Sequence, residues 1–530
     1  MSVLLPLPIV LPLLAAALCV LFGGSRRTQR MIGVSTLSAM VPISVAILVR
    51  VDDRGTVVVQ SGDLPAPIGI TLVADRFSAI MLVTAALMLL AVLVYAIGQP
   101  GAERNHVGFQ SVYMVLAAGV SAAFLTGDLF NLFVAIELML TASYVLITLG
   151  GRLDQVRSGM TYVVISLAAS ALFLLALAFT YSSTGTVNLA DLAGRIAELP
   201  SGVRAGLSGL MIVVFGIKAA VFPLYFWLPD SYPTAPSAVT AIFAGLLTKV
   251  GVYALIRTQL LLFPADSRPA TLLLVVAGAT MLVGVLGAIA QQDVRRILSF
   301  HIVSQIGYMI MGLALFTVAG IAGAVFYVVH HIVVKTTLFL VGGLIEHHGG
   351  SSRLSRLGGM VVTAPSVAVL FLLPALSLAG FPPFSGFPAK FGLFDAAARS
   401  EQWGLLAIAV LVSLLTLFSM SKIWISVFWN ARNTPPEPAE PVAPGALSPE
   451  PSDDSEGRRP EPQHAAVQLD SPVPAPAPGR TPLLMLLPTV LLAVLTLTIG
   501  VFAGPLYELA DRAATDLIDP ANYREAVLRP

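Results

Sequence analysis

The strongest constraint in this 530-residue sequence is the recurrence of apolar runs about 20 residues long. A helix rises about 1.5 Å per residue and the hydrocarbon core of a bilayer is about 30 Å thick, so each run is long enough to cross it. The runs fall at 5–22, 31–50, 77–97, 109–126, 129–149, 159–181, 206–232, 235–256, 270–290, 299–317, 321–343, 362–396, 404–428 and 482–503. They predict an all-α polytopic protein of the cell membrane with about 14 transmembrane helices. The first run has no basic segment before it and no small-residue cleavage site after it, so it reads as a membrane helix rather than a signal peptide.

Charge is scarce, at 11% of residues against roughly 25% in soluble proteins. Of the 30 basic residues only five are lysines: Lys218, Lys249, Lys335, Lys390 and Lys422, all in apolar stretches. Arginine marks the connections instead. Arg26, Arg27 and Arg30 follow the first run, and the positive-inside rule places that loop in the cytoplasm. Counting onward puts Arg295, Arg296, Arg353 and Arg356 inside as well, and both termini outside. A net charge of +1 and the absence of zinc-finger, Walker or Rossmann motifs argue against a nucleic-acid partner. Cys19 is the only cysteine, which excludes an internal disulfide and any multi-cysteine metal or iron–sulfur site.

Five regions follow. Residues 1–108 form an N-terminal three-helix region, with an external hairpin expected at 54–74. Residues 109–256 and 270–428 form two five-helix blocks. Residues 430–481 are rich in proline and acid and predict a disordered cytoplasmic linker. Residues 482–530 hold the last span and an external tail. An odd number of helices per block forces the second block to enter the membrane inverted. Each block also carries a proline-interrupted segment near its end, at Pro223, Pro229 and Pro233 and at Pro382, Pro383 and Pro388. Paired breaks of this kind are expected of inverted-repeat transporters, whose broken helices free polar groups near the midplane.

An ammonium at the centre of a membrane helix costs about 2.5–3.5 kcal/mol on insertion scales, so a buried lysine needs a partner or a function. Lys218, Lys249 and Lys335 repeat this placement in separate spans. Glu137, flanked by apolar residues, is the natural counter-ion of Lys218; the pair is either a reversible proton exchanger or a permanent bridge stapling two helices. His331 stands four residues before Lys335, with His330 beside it, and neutral imidazoles relay protons. His301, with Ser304 and Gln305, forms a polar stripe in another span. Lys390 follows the second break beside Ser385 and Gly386, where it suits a terminal station. Lys422 lies near a span end and reads as a snorkelling structural residue. Asp75 and Asp128 lie at membrane margins, where carboxylates cap helices.

The strings DLFNLFVAIELMLTASYVL, GIKAAVFPLYFWLPDSYPTAPSAVTAIFAGLLTKVGVYALIR, HHIVVKTTLFLVGG and LPALSLAGFPPFSGFPAKFGLF resemble the antiporter-like membrane subunits shared by Mrp-type cation/proton antiporters and respiratory complex I. The resemblance covers nearly all of residues 1–430. It implies fourteen helices, two inverted five-helix units and a proton-conducting hydrophilic axis. The family's glutamate matches Glu137, its first-block lysines match Lys218 and Lys249, its central lysine Lys335 and its terminal lysine Lys390. It also implies a hetero-oligomeric complex that exchanges sodium for protons, with no bound metal or organic cofactor. The alternative is a proton-pumping membrane subunit of an NADH:quinone oxidoreductase or related hydrogenase. Lys390 favours the antiporter, because the similar complex I subunit has glutamate there.

Overall fold

The computed structural model describes residues 4–100, 108–149, 153–431 and 481–528. The linker expected at 430–481 therefore falls, apart from its extreme ends, outside the described residues.

In chain order, α1 (Leu7–Leu21) and α2 (Arg26–Arg54) lead into a hairpin of β1 (Val57–Gln60) and β2 (Thr71–Ala74), then α3 (Arg76–Gly98). The hairpin lies within the 54–74 segment expected to form one, with Val57 opposite Ala74 and Gln60 opposite Thr71. The first block follows with α4 (Phe109–Leu125), α5 (Leu129–Thr148), α6 (Leu153–Thr184), the short α7 (Leu189–Ala197), α8 (Ser201–Ala219) and α9 (Trp227–Ser231). Its last span is α10 (Ser237–Ile242), which runs through a π turn at Phe243–Leu247 into α11 (Thr248–Leu261). The second block comprises α12 (Ala270–Ala290), α13 (Val294–Ala314), α14 (Val318–Gly349), the one-turn α15 (Met360–Thr363), α16 (Pro365–Ala379), α17 (Gly386–Arg399) and α18 (Trp403–Trp424), which ends in a second π turn at Ile425–Trp429. After the linker come α19 (Leu483–Val501), α20 (Ala503–Ile518) and α21 (Ala521–Leu528).

The protein is an all-α polytopic membrane protein. Among the described residues, 11 helices are long and apolar enough to cross a bilayer. Three shorter apolar helices, α1, α4 and α16, lie where the sequence predicts spans. Local chemistry sets many of the starts: Ser25, Asp75, Asp128, Asn188, Asp293 and Thr317 each accept a first-turn amide through the side chain.

The segments expected at 206–232 and 362–396 are each two helices with a true gap. α8 stops at Ala220, whose φ of 61° is left-handed, and α16 stops at Gly380, φ 88°. Prolines follow both stops; a proline has no amide to donate and crowds the preceding turn, so neither helix continues.

The blocks share a second local motif. Backbone bonds join Leu129 N to Val187 O (2.8 Å) and Leu189 N to Gly127 O (2.9 Å) in the first, and Val294 N to Ser352 O (2.9 Å) and Leu354 N to Gln292 O (3.0 Å) in the second. The bridged pairs, Asp128 with Asn188 and Asp293 with Arg353, each span 60 residues. The second bridge brings the two arginine-bearing loops together.

At the centre lies α14, 32 residues long, in which every residue from Gly320 to Ile345 is buried. It packs against α3 and α10 on one side, α13, α16 and α17 on another, and α19 and α20 from the C-terminal region.

Candidate functional site

In the first block Glu137 and Lys218 are brought together through a third residue. Ser170 Oγ, on α6, donates to Glu137 Oε1 and accepts from Lys218 Nζ at 3.0 Å. Lys218 Nζ also donates to Ser166 O at 3.2 Å. The counter-ion pair expected from the sequence is thus bridged by a hydroxyl. A hydroxyl between an amine donor and a carboxylate acceptor has the chemistry to release one proton as it takes up another. Lys218 occupies the last turn of α8, immediately before the break.

Lys249 is fully buried on α11, two residues past the end of the π turn. A π turn shifts the amide register by one residue, so the backbone ladder skips a carbonyl. Ala244 O, inside that turn, accepts from Lys249 Nζ at 2.6 Å, and Thr248 Oγ1 accepts at 3.1 Å. Lys335 on α14 donates to Leu298 O of α13 at 3.1 Å. His331 is fully buried, and neither of its ring nitrogens has a hydrogen-bond partner among the described residues. No hydrogen bond joins His331 to Lys335, despite their spacing.

In the second block His330 Nδ1 shares a 2.8 Å hydrogen bond with Ser385 Oγ, which is 3.0 Å from Ser377 Oγ across the break. Ser385 therefore serves His330 and not Lys390. Lys390, 3% exposed, donates to Ala379 O (3.0 Å) and Ser413 Oγ (2.9 Å), and its ammonium lies 5.2 Å from the Tyr308 ring centroid. Tyr308 stacks on Tyr327, which meets the His330 ring edge-on at 5.4 Å. His301 Nε2 pairs with Ser419 Oγ at 3.0 Å. The stripe expected around His301 is divided among neighbours: Ser304 donates to Met281 O, and Gln305 accepts from Tyr327. Lys422 donates to Ile289 O (2.9 Å) and Gln291 O (2.7 Å), closing the carbonyl end of α12, in keeping with its structural reading.

Asp75 and Asp128 cap α3 and α5 as their positions suggest. Asp75 does more. Arg257 holds it bidentately at 2.5 and 2.7 Å, and the guanidinium lies over the rings of Phe77, Tyr253 and Tyr523. Burial pushes the Asp75 carboxyl up, but the Arg257 charge and hydrogen bonds together with Ser78 hold it below the usual carboxylate range. Burial also raises the Asp128 carboxyl, and there no cation offsets it.

Sequence reasoning did not single out Ser166, Ser170, Ser377, Ser413 or Ser419. It also missed Glu346, which accepts from Arg295 and Ser237 at the wall of a polar pocket of about 650 Å³ beside the arginine loops. Among the described residues no three His, Cys, Asp or Glu side chains gather as metal ligands.

Residues 126–416 match the family described as NADH:quinone oxidoreductase/Mrp antiporter, TM. The D-type subunit of the Na+/H+ antiporter of Alkalihalophilus pseudofirmus is 42% identical over the full length of both chains. A chain in the structure of the Mrp complex from a Dietzia species superposes with a TM-score of 0.87 at 37% identity, covering 100% of each chain. A chain of respiratory complex I from Thermus thermophilus has the same fold, with a TM-score of 0.75 at 24% identity, covering 98% of this chain and 100% of that one.

Proposed function

The chain belongs to the NADH:quinone oxidoreductase/Mrp antiporter family, and from that footing we propose that it is the D-type membrane subunit of a multisubunit Na+/H+ antiporter and carries protons along a buried axis. It is a transporter subunit rather than an enzyme, and works with the other subunits of a hetero-oligomeric complex. The axis comprises Glu137, Lys218, Lys249, His331, Lys335, His301, His330 and Lys390. The observation that carries this reading is the bridge Lys218–Ser170–Glu137, an amine and a carboxylate joined by a hydroxyl at the mouth of a helix break. Farther along, Lys249 and Lys335 are both fully buried, the costly placement that a relay explains.

The same reading takes the protein as fourteen spans, with residues 109–256 and 270–428 as inverted repeats and both termini outside. The matched 60-residue bridges and the left-handed stops at Ala220 and Gly380 support it. So does the meeting of the two arginine loops on one face. Residues 1–108, the 430–481 linker and 482–530 are the flanking regions.

Replacing Glu137 or Lys218 with alanine in the assembled complex is expected to abolish Na+-dependent proton exchange in everted vesicles while leaving the complex intact. Normal exchange by either variant overturns the assignment. The redox-pump alternative rests on the shared complex I fold. It predicts that the purified complex contains iron–sulfur and quinone-binding subunits instead of small antiporter subunits.

A further inference from the structure

Beside Lys218 lies a small cavity of about 20 Å³. Its wall includes Lys218, Ser166, Tyr162, Trp227 and Tyr232, with Val250 and Gly251 of the Lys249 helix closing the other side. Such space suffices for one water, which takes roughly 10–15 Å³ of it and needs two to four polar partners. Residues that line it carry such partners. Tyr232 is fully buried, and its hydroxyl has no hydrogen-bond partner among the described residues. A buried, unpaired hydroxyl costs about 1–3 kcal/mol, so a group that satisfies it is favoured. Lys218 uses two of its three ammonium donors on Ser166 and Ser170, leaving one for the cavity. Tyr162 pairs with Ser143 at 2.8 Å and keeps further hydrogen-bonding capacity.

The walls are closely packed. Trp227 packs against Tyr162 and Tyr232 with ring centroids 5.4 and 5.6 Å away. Gly251 lets α11 close on α8: a Cβ there would lie 2.6 Å from Ala219 N.

We infer that this cavity is a binding site for a single ordered water, held between Lys218 and the Tyr232 hydroxyl, and that Tyr232 is a positioning residue for proton movement between Lys218 and the Lys249 helix. The inference rests on the transport reading above and adds to it a water site and a tyrosine. Bound there, the water accepts from the third Lys218 N–H and hydrogen-bonds the Tyr232 hydroxyl. Tyr232→Phe preserves the aromatic packing and removes the polar partner offered to that water.

The test uses the complete complex. A cryo-EM map of the wild-type complex, at a resolution that shows ordered waters, is expected to contain one density peak in this cavity. The peak is expected to vanish in Tyr232→Phe. The variant's Na+-dependent exchange in everted vesicles is expected to fall by up to about tenfold, as for one lost neutral hydrogen bond, and its pH profile to shift, which a packing role alone does not produce. A dry wild-type cavity overturns the inference whether or not the variant assembles, and so does wild-type exchange with an unchanged pH profile in Tyr232→Phe. Lys218→Ala is the control: exchange retained there fails the transport reading itself, whereas exchange lost in Lys218→Ala and kept in Tyr232→Phe fails only this inference.

Discussion

Ser170 has one hydroxyl proton and two acceptors for it, Glu137 Oε1 and Ser166 O at 2.9 Å, while Lys218 donates to the same oxygen. Rotation of one side chain therefore decides whether the glutamate is connected to the lysine. Ser170→Ala is expected to cut Na+-dependent exchange by about tenfold or more, the worth of a hydrogen bond to an ionised group, and Ser170→Thr to restore much of it. Vesicle assays on both variants check this, and an alanine variant with full exchange refutes the bridge. Nothing in the sequence marks Ser170 as special. Serine and threonine in membrane helices usually bond back to a carbonyl one turn earlier, as Ser44, Thr84 and Ser121 do here. A serine that also reaches a neighbouring helix looks the same in one dimension. The lysines and Glu137 were legible because an ionisable group in an apolar run carries a cost that demands explanation.

Among the elements, the broken helices announced themselves through proline, whereas their ends did not. Ala220 takes a left-handed conformation that its residue type does not predict. The π turn before Lys249 was equally silent, because it depends on backbone register rather than hydropathy. Close helix contact depends on glycine. Gly251 faces the Lys218–Ala219 backbone, and an added Cβ would meet Ala219 N at 2.6 Å and Lys218 C at 2.8 Å, atoms that cannot rotate away. Gly251→Ala is thus expected to force α11 off α8. The cost is about 1–3 kcal/mol of stability, typical of overpacking, together with impaired exchange. A thermal melt of the purified complex measures the first effect, and an unchanged melting temperature contradicts the contact.

For the whole molecule, the long apolar helices were readable from their length and the hairpin from its turn residues. The tie between them was not. Arg257 stands one residue beyond the span expected at 235–256, and nothing in the sequence singled it out. Instead it joins Asp75, before α3, to α11 and to Tyr523 of the C-terminal α21. Asp75→Ala leaves that guanidinium buried without its counter-ion and is expected to cost about 3–5 kcal/mol. The sign with pH follows from the lowered Asp75 carboxyl. Its stabilisation is complete above the unfolded value of about 3.9 and is lost only as pH falls through the lower folded value. The gap in melting temperature between parent and variant should hold steady from neutral to alkaline pH; a gap that closes as pH rises contradicts this. The tie also braces the periphery of a structure built around α14, which at about 1.5 Å per residue runs some 48 Å end to end. A beam held by helices of both blocks and of both flanking regions is a party wall, shared by whatever lies on either side of it.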